Sequence, residues 1–408
     1  MFRWFSVAGL LSVVPLSLHA QPDDRARWTL QYFYDQDGKD LHITDLAFPS
    51  AKRGIAVGAI VDREGDREGR KPRFTSLVTS DGGEHWSLTP LKEFPRSIFF
   101  LDESNGWMVT SESLWFTQES GRSWTRISDQ IKPDKKLADA PHTGLILRVW
   151  FLDAQHGYAV GLQKSVFETH DGGRTWKPLA EAAAPASNPA YSVYSHIAFT
   201  DGKGGMIVGG YAPPRTAGKS REERDEEGDL PDWMHPERTL SRRQQPRLTL
   251  ELDTRDGGAT WKSGTAPLLG SVVSARLAGE NGLVVFDYAD SFEWPAEVYR
   301  LDLKTGRSES VYKQKDRLVT DAAIFADGAD GTGGRAFLAA VEPPGRLRSA
   351  PIPGKVRMLS STNLKDWVEM PVDYRAVAQS LVLAGPDAEH LWVATDTGMI
   401  LRLSLASR

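Results

Sequence analysis

The sequence predicts an all-β fold: a single seven-bladed β-propeller of four-stranded antiparallel blades, closed by its own N-terminal strand. Three observations carry this reading. An octet of the form Thr/Ser-x-acid-Gly-Gly-x-x-Trp recurs along the chain. A second motif alternates with it, and its glycines at 54, 106, 157 and 205 lie 52, 51 and 48 residues apart. Finally, the last repeat lacks one strand, while the first residues after the leader supply one with no other home. A fixed period of this size is the signature of repeated supersecondary units.

The octet comes first because it sets the frame. It reads Thr79-Ser-Asp-Gly-Gly-Glu-His-Trp86, Thr169-His-Asp-Gly-Gly-Arg-Thr-Trp176 and Thr254-Arg-Asp-Gly-Gly-Ala-Thr-Trp261. Thr117 to Trp124 keeps the frame with Glu119 as its acid, and Ser360 to Trp367 keeps it faintly. Each residue has a task in a tight hairpin. The glycines allow positive φ, the acid accepts amide hydrogen bonds of its own turn, and the indole begins the outgoing strand with a large apolar face. Asp81, Asp171 and Asp256, with Glu119 and the indoles Trp86, Trp124, Trp176, Trp261 and Trp367, are therefore assigned structural roles. No catalytic, cofactor-binding or metal-binding role is assigned to any residue, and no cofactor is expected.

The octet resembles the Asp-box, or BNR repeat, of the sialidase-like superfamily, where it occupies the hairpin between strands c and d of a blade, away from the ligand face. Combined with Phe-x-Asp and Gly-Tyr-Ala-Val-Gly, it looks most like the propellers similar to photosystem II assembly and stability factors. That resemblance implies a binding or assembly scaffold. Photosynthetic members meet a partner protein through an arginine-rich patch; only Arg96 and Arg148 sit in comparable strands here, so that partner is not carried over.

The second motif supplies strands a and b: an apolar strand, an acidic turn, a glycine and another apolar strand. It runs Ile43 to Gly58, Ser97 to Val109, Arg148 to Gly161 and His196 to Gly209, with looser copies at Ser274 to Phe286, Asp321 to Val341 and Ser380 to Thr395. Unit five has no octet and turns instead through Arg300 to Gly306. Unit seven ends at Ile400 to Leu405 after three strands. Trp28 to Tyr34 is expected to complete it, removing the sheet edge that would otherwise invite aggregation.

Composition bounds the rest. The 408 residues carry a net charge of −5, which gives no bulk field for nucleic acid. Met1 to Ala20 reads as a signal peptide, with Arg3 ahead of an apolar run from Val7 to Leu18 too short for a confident membrane span. Residues 21–408 form the propeller. The chain has no cysteine, which excludes disulfides, thiolate metal sites, a catalytic thiol and N-terminal lipidation. A periplasmic or secreted monomer is expected.

Function is expected where the loops grow. The ab turns and the octets share one face, and the insertions fall in the bc and da connections on the other. They include 61–73, 128–144, 180–194, 288–297, 342–355 and the charged segment 211–247 of blade four, which holds Trp233 as a docking candidate. Asp45, Arg96 with Ser97, Arg148, His196, Arg276, Asp321 and Ser380 form a candidate polar ring in the channel. The expected partner is a protein or glycan of the cell envelope. The alternative is a glycoside hydrolase using a pair among Asp45, Asp287, Asp290, Glu293 and Asp321. A sialidase would need Arg96, Arg148 and Arg276 on a carboxylate, but the Arg-Ile-Pro signature is missing.

Overall fold

The computed structural model describes residues 26–405 except 37, 63–71, 138–139, 201–202, 213–247, 268–269, 289–293, 328–332, 344 and 348–349. The leader and Trp233 lie outside the described residues, as does the insertion beyond Ala212. Seven blades follow one another, strands a to d running outward from the channel in hairpin succession. Blade one is Lys39–Ala47, Gly54–Asp62, Arg73–Thr79 and Ser87–Pro90; blade two is Pro95–Phe100, Gly106–Thr110, Ser113–Thr117 and Thr125–Asp129. Blade three is Ile146–Phe151, Gly157–Gly161, Ser165–Thr169 and Lys177–Pro178. Blade four is Ser192–Phe199, Gly205–Tyr211, Leu248–Thr254 and Lys262–Ala266. Blade five is Ser271–Ala278, Asn281–Asp287, Ala296–Asp302 and Arg307–Lys313. Blade six is Leu318–Asp327, Gly333–Val341, Gly354–Ser361 and Val368–Met370.

Blade seven contributes Leu381–Ala384, Trp392–Thr395 and Met399–Ser404, and Arg27–Phe33 pairs antiparallel with the last of these as its outer strand. The ring closes as the sequence reading expected. The closure extends further than one ladder, because the Trp28 amide donates to Pro371 O and the Asp373 amide to Trp28 O. Strand one thus joins blade seven to the da connection of blade six.

The octets form the cd hairpins of blades one to four. At Asp171 the carboxylate accepts the Arg174 and Thr175 amides at 3.0 and 2.9 Å and the Thr169 and Thr175 hydroxyls at 2.8 and 2.6 Å. Gly172 and Gly173 sit at φ +76° and +90°, where a side chain would be strained. The worn copy in blade six differs from the expected frame. Ser361, not Ser360, takes the threonine's place, since its hydroxyl meets Asn363 Oδ1, which accepts the Lys365 and Asp366 amides. Asn363 therefore does the acid's work in a turn one residue shorter, and Leu364 takes the positive φ at +60°.

The octets also close the seams between blades. At the seam of blades two and three, Trp107 of strand b stacks on Phe151 at 3.7 Å and donates its indole N–H to Gly172 O of the next blade's octet. Trp392 repeats this on Phe48 at 3.7 Å and Gly82 O between blades seven and one. Tyr158 does so with Phe199 and Gly258 O between blades three and four. The octet indoles Trp86, Trp176 and Trp261 meet those phenylalanines edge-on. Blade five has no octet, and at its seam with blade four lies a cleft of about 950 Å³ edged by Met206, Glu251, Asp253, Lys262, Asp302 and Arg307.

Strand a of blades one to six carries a bulge. In blades one, three and four a glycine of strand b faces it, so close that a Cβ on Gly209 would lie 1.8 Å from Val193 O. Backbone cannot yield like a side-chain tip. Gly209→Ala is expected to cost about 1–3 kcal/mol, as overpacking does. An unchanged urea midpoint in that variant would refute the close approach.

Candidate functional site

The residue just after each bulge points its side chain along the channel. These residues are Asp45, Ser97, Arg148, His196, Ser274 and Asp321. Several of them reach to the following blade. Asp45 Oδ2 accepts the Ile98 amide at 2.9 Å, Ser97 Oγ donates to Leu147 O at 2.8 Å, and Ser274 Oγ donates to Asp321 Oδ1 at 2.6 Å. Asp321 Oδ2 accepts the Leu383 amide at 2.8 Å. The same carboxylate–amide bond starts from Asp45 in blade one and ends on Ile98, which aligns Leu383 with Ile98. The channel position of blade seven is therefore Val382, not Ser380, which is exposed and precedes the strand.

The ring thus brings together Asp45, Arg148, His196 and Arg276, which line a cavity of about 310 Å³ along with apolar side chains, and Asp321, which holds Arg276. Arg148 faces Asp45 at 3.7 Å, and Arg276 lies 3.1–3.2 Å from both oxygens of Asp321. Arg276 therefore does enter the channel despite falling two residues after Ser274. Arg96 does not join them. It is the bulged residue of blade two, and its guanidinium donates to Gly144 O and Ile146 O at 2.9 Å. The cavity extends toward the ab turns, edged by Phe48, Pro49, Phe100 and Phe325, and among the described residues none of a bc or da connection lines it.

Electrostatics sets protonation here. Burial pushes the Asp45 carboxyl up against the opposing pull of Arg148 and the Ile98 and Leu46 amides. Burial, reinforced by Arg148 and Arg276, holds His196 well below the usual imidazole range. His196 is thus neutral in the native protein, with Ser195 Oγ 2.9 Å from its Nδ1. An unfolded histidine takes up a proton near pH 6.5. The native state therefore loses stability as pH falls below that value. His196→Asn should flatten the fall in urea midpoint between about pH 7 and pH 5; an identical slope in the variant would argue against a buried neutral ring.

Of the acids weighed as a hydrolytic pair, Asp45 and Asp321 both accept two backbone amides, and Asp290 and Glu293 lie outside the described residues. Apart from Arg96, sequence reasoning missed the bulge residues, such as Thr44, whose hydroxyl donates to Pro95 O at 3.1 Å. It also missed the seam cleft, although the missing octet of blade five was the available signal.

Closed blades, octet hairpins and a polar channel define a seven-bladed β-propeller, and the proteins it resembles include photosystem II assembly factors. Residues 134–214, spanning blade three and the start of blade four, match the family model described as photosynthesis system II assembly factor YCF48. A stretch of 38 residues is 47% identical to the photosystem II assembly protein Ycf48 of Thermosynechococcus vestitus, covering 9% of this chain and 11% of that protein. The structure of YCF48 bound to D1 peptide is similar over 93% of this chain and 97% of that one, at 15% identity and a TM-score of 0.54. That of YCF48 from Cyanidioschyzon merolae is similar over 92% and 98%, at 14% identity and a TM-score of 0.51. At these identities the two structures establish a shared fold.

Proposed function

We propose that this chain is an exported, non-catalytic scaffold that binds a protein partner of the cell envelope through the bc/da end of its ring. The observation that carries the reading is the distribution of insertions. The ab turns and octets are short, whereas a 3-10 pair at Ala180–Ala183 and Pro189–Tyr191 and a hairpin of Gly345–Leu347 with Ala350–Ile352 stand in the da and bc connections. Preformed loops on a stiff ring bind without a large ordering cost. The solved YCF48 carrying a D1 peptide shows that a propeller of this shape can hold a protein segment. The two channel acids engaged with backbone amides fit a scaffold better than a glycosidase.

The lack of native cysteine makes the test clean, since a single introduced thiol is unique. A photocrosslinker on Glu181→Cys, exposed in a da connection, should capture one defined envelope protein. The same label on Glu84→Cys, exposed on an octet, should not. Capture from Glu84 alone would move the binding face to the other end. Hydrolysis of any member of a glycan panel would replace the scaffold with the glycosidase.

A further inference from the structure

Blade three differs from its neighbours at one rim. Three backbone positions converge there: the residue before the strand b glycine, the strand c residue ahead of the octet, and the octet's second residue. In blade one these are Arg53, Val78 and Ser80; in blade two, Asn105, Phe116 and Gln118; in blade four, Gly204, Asp253 and Arg255. In blade three they are His156, Glu168 and His170. The other three blades build the same hairpin with no histidine at these positions, so folding does not require the trio.

Its geometry converges on one point. His156 Nε2 lies 2.8 Å and His170 Nε2 3.5 Å from the same oxygen, Glu168 Oε1. The two imidazoles stack with centroids 4.7 Å apart, and one donor atom from each residue lies within 4.8 Å of the others. Ligand atoms around a tetrahedral zinc ion with bonds of about 2.0–2.2 Å are separated by roughly 3.3–3.5 Å, so small side-chain adjustments suffice. His156 and Glu168 are about three-quarters buried, while His170 is 63% exposed, which leaves solvent a path to the centre.

We propose that blade three binds a divalent transition-metal ion of the zinc class through His156, Glu168 and His170, with water completing the coordination. Two imidazoles and a carboxylate suit such ions, and no thiolate elsewhere in the chain competes for them. The surroundings hold the ligands in place. Asp153 Oδ1 accepts the His156 amide at 2.8 Å, and the Tyr158 hydroxyl lies 3.1 Å from Glu168 Oε1 and 3.0 Å from Gly258 O. Such outer partners orient metal ligands. The ion would tie the ab turn of blade three to its octet and, through Tyr158, to the octet of blade four. The trio of Asp81, Glu84 and His85 differs, because it lies within a single turn and Asp81 is already engaged by Thr79 and His85.

The test uses the tag-free full chain, stripped with chelator and titrated with Zn²⁺ alone by calorimetry and equilibrium dialysis. One equivalent should bind. His170→Ala, an exposed change outside the Trp107–Phe151–Gly172 contacts of the seam, should weaken binding at least about tenfold, a loss that follows even from removing an outer partner of a metal ligand. His85→Ala should leave it unchanged. Co²⁺ in place of zinc should give visible absorption that Glu168→Gln removes. Absence of saturable one-to-one binding by the unaltered chain overturns the proposal, as does zinc binding in His170→Ala and Glu168→Gln equal to that of the unaltered chain.

Discussion

Trp28→Ala should lower the unfolding free energy by about 3–5 kcal/mol, the range for a large aromatic removed from a core. The indole is 1% exposed, meets Phe337 edge-on at 6.5 Å, and lies in a cluster shared by blades six and seven. Its Nε1 has no hydrogen-bond partner among the described residues, so its contribution there is apolar. Trp28→Phe should therefore retain most of the stability. Urea unfolding of the three chains decides the matter. A loss below about 1 kcal/mol in the alanine variant would mean that the closing strand contributes little.

Asp321→Ala should be comparably severe, again about 3–5 kcal/mol, because it removes one side of a buried charged network. The carboxylate is 5% exposed and joins three blades: it accepts from Ser274 and Arg276 of blade five, from its own strand at Ala322, and from the Leu383 amide of blade seven. Without it the Leu383 amide is buried without its acceptor, and such a group costs about 1–3 kcal/mol by itself. Arg276 is partly exposed and can regain water, which limits the damage on that side. Denaturant midpoints, with hydrogen exchange at Leu383, test this. Unchanged protection at Leu383 would show that the carboxylate is not its acceptor.

The sequence made the architecture readable because the octet and the strand a–b motif are local patterns repeated at one period. The completion of blade seven by Trp28–Tyr34 followed from counting strands. What escaped was decided between blades. Trp107, Tyr158 and Trp392 read as ordinary strand aromatics, since the glycine carbonyls they bond belong to the next octet. Val382 was passed over for Ser380 because its register is fixed by the Asp321–Leu383 bond rather than by any local pattern. Asn363 was hidden because an amide was doing a carboxylate's work. Five of the six residues that follow the bulges, Asp45, Ser97, Arg148, His196 and Asp321, were visible as polar residues ahead of a phenylalanine, but Arg96 was misplaced, because a bulge shifts the alternation by one residue and turns its side chain toward the next blade.

The pairing of Arg27–Phe33 with Met399–Ser404 also sets the order of events in time. Thr29 meets residues more than 370 positions away, so the strand Arg27–Phe33 has no ladder partner until Met399–Ser404 has been made. Individual blades can settle early as hairpins, but the circle stays open until Met399–Ser404 arrives. A chain lacking Met399–Ser404 would keep six finished blades and leave Arg27–Phe33 without its ladder.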